Sequence, residues 1–270
     1  MTKRKDVVYI KDMGDRDAKL HIDTQAASLG ADDECLSRRA SKALRRYQAN
    51  QELRDQKIYS LGGEMFSSIT HGFTALMGVA ILVLCVIFAA RTDQGALGIV
   101  AVSIFGATAF IGFTISTIYH ALAVNSGKRV MRVLDHTSIY FIIAGTYTPF
   151  SLLVLGGWVG WTIFGVNWAL CFLGATLTAI DRKKFKTFAF ICYLTMGWVA
   201  LAVVVPLVDA MGWGWSLWLL FAGGIAYTLG AVVYKFPGKW THGIWHLFTL
   251  AGLTAQALSV IIYMHQIYTG

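Results

Sequence analysis

Seven long apolar stretches fill the chain after residue 60 and decide what it can fold into. A helix needs about 20 predominantly apolar residues to cross the hydrocarbon core of a bilayer. We predict membrane-spanning helices over residues 64–90, 96–122, 133–155, 158–180, 186–208, 214–234 and 240–266. Only short connectors separate these stretches, so residues 61–270 are predicted to form one all-α bundle of seven transmembrane helices.

Charge is concentrated before the first apolar stretch. Residues 1–60 hold 13 of the 23 Lys and Arg and 10 of the 15 Asp and Glu. We therefore interpret 1–60 as a polar extension that precedes the membrane domain. Within it, the apolar spacing over 32–56 predicts a short amphipathic helix on the membrane surface or on the bundle. A solvated or disordered tail is the alternative.

The positions of Lys and Arg also predict the orientation of the bundle. The second, fourth and sixth connectors carry nine of these residues, whereas the first, third and fifth carry only Arg91. Because cytoplasmic loops are enriched in Lys and Arg, we predict a cytoplasmic N-terminus and an external C-terminus in a bacterial plasma membrane. The net charge of +8 is explained by these short connectors, so we do not predict nucleic-acid binding.

Ionisable side chains inside the predicted spans are the strongest functional signal, because such groups are costly in a membrane. His120 ends the second span, Asp135 opens the third, and His242 and His246 open the seventh. The alternating topology brings all four to a common depth near the inner leaflet. The sequence therefore predicts a polar site at that depth.

The spacing of these histidines is typical of metal ligands. His242 and His246 lie four residues apart, on one face of a helix, and His120 adds a third imidazole. Three protein ligands with an open fourth position are the pattern of a catalytic zinc site. Asp135 is then the predicted base for a zinc-bound water. Ser116, one turn from His120, is predicted to donate a hydrogen bond to that water or to a substrate carbonyl.

Alternatives remain open for each of these residues. Imidazoles at helix ends can lie among lipid head groups without a metal, and Asp135 can cap its helix or pair with Arg129 or Arg132. Glu64 and His71, at the start of the first span, either support the metal ligands or form only a polar helix start. Haem is disfavoured, because two histidines four residues apart on one helix do not make opposed axial ligands.

Six stretches of the chain resemble the hemolysin III family, the bacterial branch of the progestin and adipoQ receptor group. They occur in the family's order and with its spacing. They are EMFSSITHG (64–72), STIYHA (116–121), LDHTSIYFIIAGTYTPF (134–150), YLTMGW (193–198), GGIAYTLGAVVY (223–234) and HGIWHLFTLAG (242–252).

The resemblance implies a specific chemistry. The wider superfamily of seven-helix membrane hydrolases, which includes alkaline ceramidases, shares a Ser-x3-His, an Asp and a His-x3-His. Ser116 with His120, Asp135, and His242 with His246 match these motifs. By resemblance, the three histidines bind zinc and Asp135 holds the attacking water, which implies hydrolysis of a lipid amide bond and a role in membrane lipid homeostasis.

Three functions are compatible with the sequence. The first is a zinc-dependent hydrolase whose lipid substrate enters the bundle. The second is a non-enzymatic sensor or regulator of membrane state with a structural zinc. The third, a pore-forming haemolysin, is disfavoured because the spans offer few polar faces to line a pore. Membrane lipids are the predicted partners, and assembly into a homo-oligomer is left open.

Overall fold

The computed structural model of this chain describes Lys42 and residues 59–236, 238 and 240–269. The predicted extension over residues 1–60 lies almost entirely outside the described residues. The amphipathic helix predicted over 32–56 also lies outside them, apart from Lys42, and stays a prediction.

The described chain forms seven helices that are long and apolar enough to cross a membrane, which confirms the predicted all-α class. Two of them change geometry along their length. The third becomes π-helical after Pro149, and the fifth contains a 3₁₀ segment over Val199–Val203. The helices are α1 Leu61–Ala89, α2 Gly95–Ala121, α3 Ser126–Leu155, α4 Gly157–Ile180, α5 Lys186–Met211, α6 Trp215–Lys235 and α7 Thr241–Thr269.

Helix α3 begins at Ser126, well before the predicted start at residue 133. The side chain of Asn125 accepts a hydrogen bond from the backbone N–H of Lys128 at 2.9 Å and so caps the helix. The prediction began too late because it followed apolar residues, whereas the first two turns of α3 are polar. The earlier start places Lys128 and Arg132 on a helix rather than in a loop.

The order of packing brings the two ends of the membrane domain together. Helix α1 packs along α2, α2 along α3, and α3 along α4, while α7 packs against both α6 and α1. Since consecutive helices run in opposite directions, the starts of α1, α3, α5 and α7 and the ends of α2, α4 and α6 lie at one end of the bundle. We call this the amino end.

Glycines allow α1 and α2 to approach closely. A Cβ atom on Gly106 would lie 2.6 Å from the backbone of Leu82, and one on Gly78 would lie 2.8 Å from the backbone of Phe110. Any larger side chain would force the helices apart, as at other small-residue contacts in membranes. This close packing positions the start of α1 beside the end of α2, where the predicted site lies.

Helix α7 is fixed to α6 by a reciprocal pair of hydrogen bonds at the opposite end of the bundle. The hydroxyl of Ser216 donates to the carbonyl of Ser259 at 2.7 Å, and the hydroxyl of Ser259 donates to the carbonyl of Ser216 at 2.6 Å. Both serines are fully buried. Together with its packing on α1, this contact holds α7 in register, so that its first two turns stay at the amino end.

Candidate metal site

Three imidazoles from two helices converge at the amino end. His120 is the penultimate residue of α2, and His242 and His246 lie in the first two turns of α7. The Nε2 atom of His242 lies 3.1 Å from the Nε2 atoms of both His120 and His246. The ligand atoms of all three lie within 4.8 Å of one another, so the structure brings the predicted metal ligands together.

The spacing of these nitrogens fits a metal ion. With Zn–N bonds of about 2.0–2.1 Å, a tetrahedral angle separates two ligand nitrogens by roughly 3.3–3.4 Å. The observed separation of 3.1 Å is close to that value. Imidazole nitrogens suit several transition metals, so the geometry supports a metal site without specifying zinc.

Hydrogen bonds at Nδ1 fix the orientation of two of the three rings. The Nδ1 atom of His246 lies 3.3 Å from the carbonyl oxygen of Ser67, and that of His120 lies 2.6 Å from Oε2 of Glu64. In both rings Nδ1–H donates, which leaves Nε2 to face the site. Metal-binding histidines are commonly held in this way by a carboxylate or a carbonyl.

Lys128 belongs to the same network. Its Nζ donates to Oε1 of Glu64 at 2.9 Å and to the carbonyl of Leu122 at 2.9 Å. Lysines near the ends of transmembrane helices are usually exposed, but Lys128, in the first turn of α3, is only 5% exposed. The carboxylate of Glu64 is thus shared between an ammonium and an imidazole. The sequence analysis treats Lys128 only as one of the charges of the second connector. The signal that could have found it is Asn125, a typical helix-capping residue, which would have placed Lys128 on α3.

A second network orders His71 beneath the three ligands. Its Nδ1 lies 2.7 Å from the hydroxyl of Ser116, and its Nε2 lies 3.2 Å from the hydroxyl of Thr249. Thr249 donates its own proton to the carbonyl of His246 at 2.8 Å, so it accepts from Nε2–H of His71. Nδ1 of His71 therefore accepts from Ser116. The ring of His71 also stacks on His246, with centroids 3.5 Å apart.

The hydrogen bond from Ser116 to His71 uses the single proton of the Ser116 hydroxyl. With its hydroxyl donating to His71, Ser116 presents oxygen lone pairs to its remaining surroundings. The role predicted from sequence, donation to a water or a substrate carbonyl, requires the hydroxyl to rotate away from His71. That role stays a prediction.

Asp135 lies at the amino end but not among the converging nitrogens. Within the described residues, the group of ligand atoms closer than 4.8 Å consists of the three histidines. The Oδ2 atom of Asp135 lies 3.8 Å from Nδ1 of His136, which itself lies 2.8 Å from the carbonyl of Arg132. A role for Asp135 therefore depends on a water between it and the metal position, and it remains a prediction.

Replacing Glu64 with glutamine is expected to weaken metal binding about 10–100-fold, as for other groups that orient a metal-binding histidine. Glutamine keeps the shape of Glu64 but loses the charge that pairs with both Lys128 and His120. Zinc affinity is measured by competition with a chromophoric chelator. Asp209→Asn, which removes a carboxylate from an exposed position at the opposite end of the bundle, is the control. Equal affinities for the two variants would contradict this account of Glu64.

Comparison with known proteins gives a consistent picture. Residues 59–257, which include every predicted site residue, match the family model described as haemolysin-III related. The chain is 35% identical over 205 residues to Hemolysin-3 of Bacillus cereus, covering 74% of this chain and 91% of that protein. It is 36% identical over 210 residues to the Hemolysin-3 homolog of Bacillus subtilis, covering 76% and 96%. The human monocyte to macrophage differentiation factor is 27% identical over 165 residues, covering 57% and 66%.

Proposed function

This chain belongs to the haemolysin-III related family, within the progestin and adipoQ receptor group, and we propose that it is a zinc-dependent hydrolase of an amide bond in a membrane lipid. The observation that carries the proposal is the convergence of His120, His242 and His246, with Nε2 atoms 3.1 Å apart, inside a membrane protein.

The three histidines would hold the ion and leave its fourth position open. Bound zinc lowers the pKa of a water to about 7 and polarises a carbonyl oxygen. Imidazole also binds other metals. We propose zinc because hydrolysis needs a Lewis acid, and zinc is a Lewis acid that has no redox chemistry.

The remaining side chains position these groups. Glu64, held by Lys128, keeps the Nδ1 proton of His120 in place, so that its Nε2 faces the site. Asp135 accepts the proton of the attacking water. While its hydroxyl donates to His71 at 2.7 Å, Ser116 accepts a hydrogen bond from the water. It donates to the scissile carbonyl only after that hydroxyl has rotated away from His71.

The substrate is proposed to reach the site from the membrane. The amino end is proposed to face the cytoplasm, because the rule for membrane topology associates connectors rich in Lys and Arg with that side. A lipid can then keep its acyl chain in the bilayer while its head meets the histidines at the inner leaflet. Turnover of such a lipid would give the protein a role in membrane lipid homeostasis.

The test is cleavage of lipid by the purified protein. Zinc-loaded protein is incubated with a bacterial lipid extract supplemented with ceramides, and released fatty acids are followed by mass spectrometry. Release by the wild type, with none from metal-free protein, is the expected result. If loaded protein leaves every lipid intact, the hydrolase proposal is wrong.

One observation favours a second function. Asp135 lies outside the group of metal-ligating atoms, as expected if the metal only holds α2 and α7 together. The protein would then be a sensor or regulator of membrane state with a structural zinc. In that case variants of the ligands change membrane order in cells, and no cleavage product forms.

A further inference from the structure

Among the described residues, two arginines at the amino end have no carboxylate partner. Arg132 lies on α3 and Arg182 in the connector between α4 and α5, and both are half-buried. The Nε atom of Arg132 is inaccessible to solvent and makes no hydrogen bond within the part of the chain that the structure describes. In that same part, neither guanidinium pairs with a carboxylate. A buried donor without a hydrogen bond is costly, so the Nε of Arg132 is suited to a bound acceptor.

Two hydrogen bonds hold the connector that carries Arg182 against α3. The hydroxyl of Tyr140 on α3 lies 3.1 Å from that of Thr178, near the end of α4. The hydroxyl of Tyr193, two turns into α5, donates to the carbonyl of His136 on α3 at 2.8 Å. Arg182 lies between these two attachments. The connector is therefore attached to α3 about three to four turns from the start of that helix.

Arg132 lies one turn before His136 on α3, and its positive charge acts on Arg182. Burial and the positive charge of Arg132 both lower the pKa of Arg182. The phenols of Tyr59, Tyr119 and Tyr234 also lie within electrostatic range of Arg182. Arg132 and these three phenols thus all lie within electrostatic range of Arg182.

The same phenol rings contact the histidine site. The ring of Tyr59 stacks on His242 with centroids 4.4 Å apart, and the ring of Tyr234 lies 5.5 Å from it. The ring of Tyr119 lies 4.7 Å from His120. A ligand held between the two arginines would therefore lie beside the histidine site.

The described acids near this charge have other partners. Asp181 is exposed, and its Oδ1 accepts the backbone N–H of Lys184 at 2.9 Å. Oδ2 of Asp135 lies 3.8 Å from Nδ1 of His136. The connector adds further exposed lysines, so the region carries an excess of positive charge.

We propose that Arg132 and Arg182 bind a phosphate-type anion at the mouth of the histidine site, and that this anion is the head-group phosphate of the lipid recognised there. Guanidinium groups match phosphate oxygens with two parallel hydrogen bonds. Basic pockets between transmembrane helices bind phosphorylated lipid heads in this way. The identification of this lipid as the substrate rests on the proposed function, whereas its binding does not require cleavage.

The experiment measures binding to the full chain in a non-ionic, phosphate-free detergent. The probes are short-chain phosphatidic acid, the diacylglycerol with the same chains, and inorganic phosphate. A ligand that binds only the folded state raises the Tm, and the rise increases with the ratio of its concentration to its Kd. We expect phosphatidic acid to raise the Tm, inorganic phosphate to do so only at much higher concentration, and diacylglycerol to have no effect.

Removing the guanidinium groups tests the assignment. In Arg132→Gln, Arg182→Gln protein, the affinity for phosphatidic acid should fall about tenfold for each arginine removed. Lys183→Gln, Lys184→Gln protein loses the same charge from exposed positions in the same connector, and it should bind as the wild type does. If the glutamine variant does not fold, the Arg132→Lys, Arg182→Lys variant keeps the charge but loses the paired hydrogen bonds. It too should bind more weakly.

Three results would overturn the proposal. The first is unchanged affinity in the arginine variants. The second is an equal loss in the lysine control, which would reduce the effect to general charge. The third is an equal response to inorganic phosphate and phosphatidic acid, which would make free phosphate the ligand. Binding by a protein that cleaves no lipid would remove the proposed hydrolase function and leave the anion site standing.

Discussion

The His242→Ala, His246→Ala variant is expected to retain no zinc after purification, whereas the wild type retains about one ion per chain. The double change leaves His120 as the single imidazole at the site. One neutral nitrogen cannot compete with water and buffer for the ion, while three nitrogens within 4.8 Å can. Metal content is measured by mass spectrometry of protein that has been stripped with chelator, reloaded with zinc and desalted.

Loss of metal must be separated from loss of fold. His246 is 1% exposed, so alanine there leaves a cavity. The His242→Gln, His246→Gln variant fills most of that volume and should lose the ion equally. His265→Ala removes an exposed imidazole near the far end of α7 and should keep it. Full zinc content in a folded glutamine variant would eliminate the histidine site and the hydrolase mechanism built on it.

The sequence was sufficient to predict the seven-helix fold and the convergence of three histidines, because both depend on simple periodicities. Apolar length gives the number of spans, and alternating connector charge gives the relative depth of their ends. Four-residue spacing puts His242 and His246 on one face, and depth then brings His120 level with them. No knowledge of helix packing was needed for this part of the site.

The groups that hold the ligands could not be predicted in the same way. Glu64 reaches His120 because Gly78 and Gly106 let α1 and α2 approach closely, which is a property of two helices together. Lys128 joins them because Asn125 starts α3 early. A pattern of apolar residues cannot indicate a helical turn that is polar, so the sequence predicts Lys128 to lie in a loop.

Depth alone also left the direction of Asp135 undetermined. A residue can lie at the level of the histidines and still project to another side of its helix. In the structure, Oδ2 of Asp135 lies 3.8 Å from Nδ1 of His136. Arg132, one turn away on α3, lies within electrostatic range of Arg182. The function of Asp135 is therefore decided by measurement of turnover.

The Asp135→Asn variant is expected to bind zinc normally and to lose lipid cleavage by about 10²–10⁴-fold in kcat, the usual contribution of a general base. Asparagine keeps the shape of the side chain but cannot accept the proton of the attacking water. Zinc affinity should be unchanged because Asp135 is not among the grouped ligand atoms. Asp181→Asn, which changes an exposed aspartate at the same end of the bundle, should cleave lipid at the wild-type rate.

The two measurements together separate the mechanisms. Full turnover by Asp135→Asn protein would remove Asp135 from the reaction. Glu64 is a poor replacement as a base, because its oxygens are engaged by His120 at 2.6 Å and by Lys128 at 2.9 Å. Loss of zinc together with turnover would mean that the carboxylate reaches the ion, in a conformation with α3 closer to α7 than in this structure. Loss of turnover with zinc retained is the result that a water held between Asp135 and the three histidines requires.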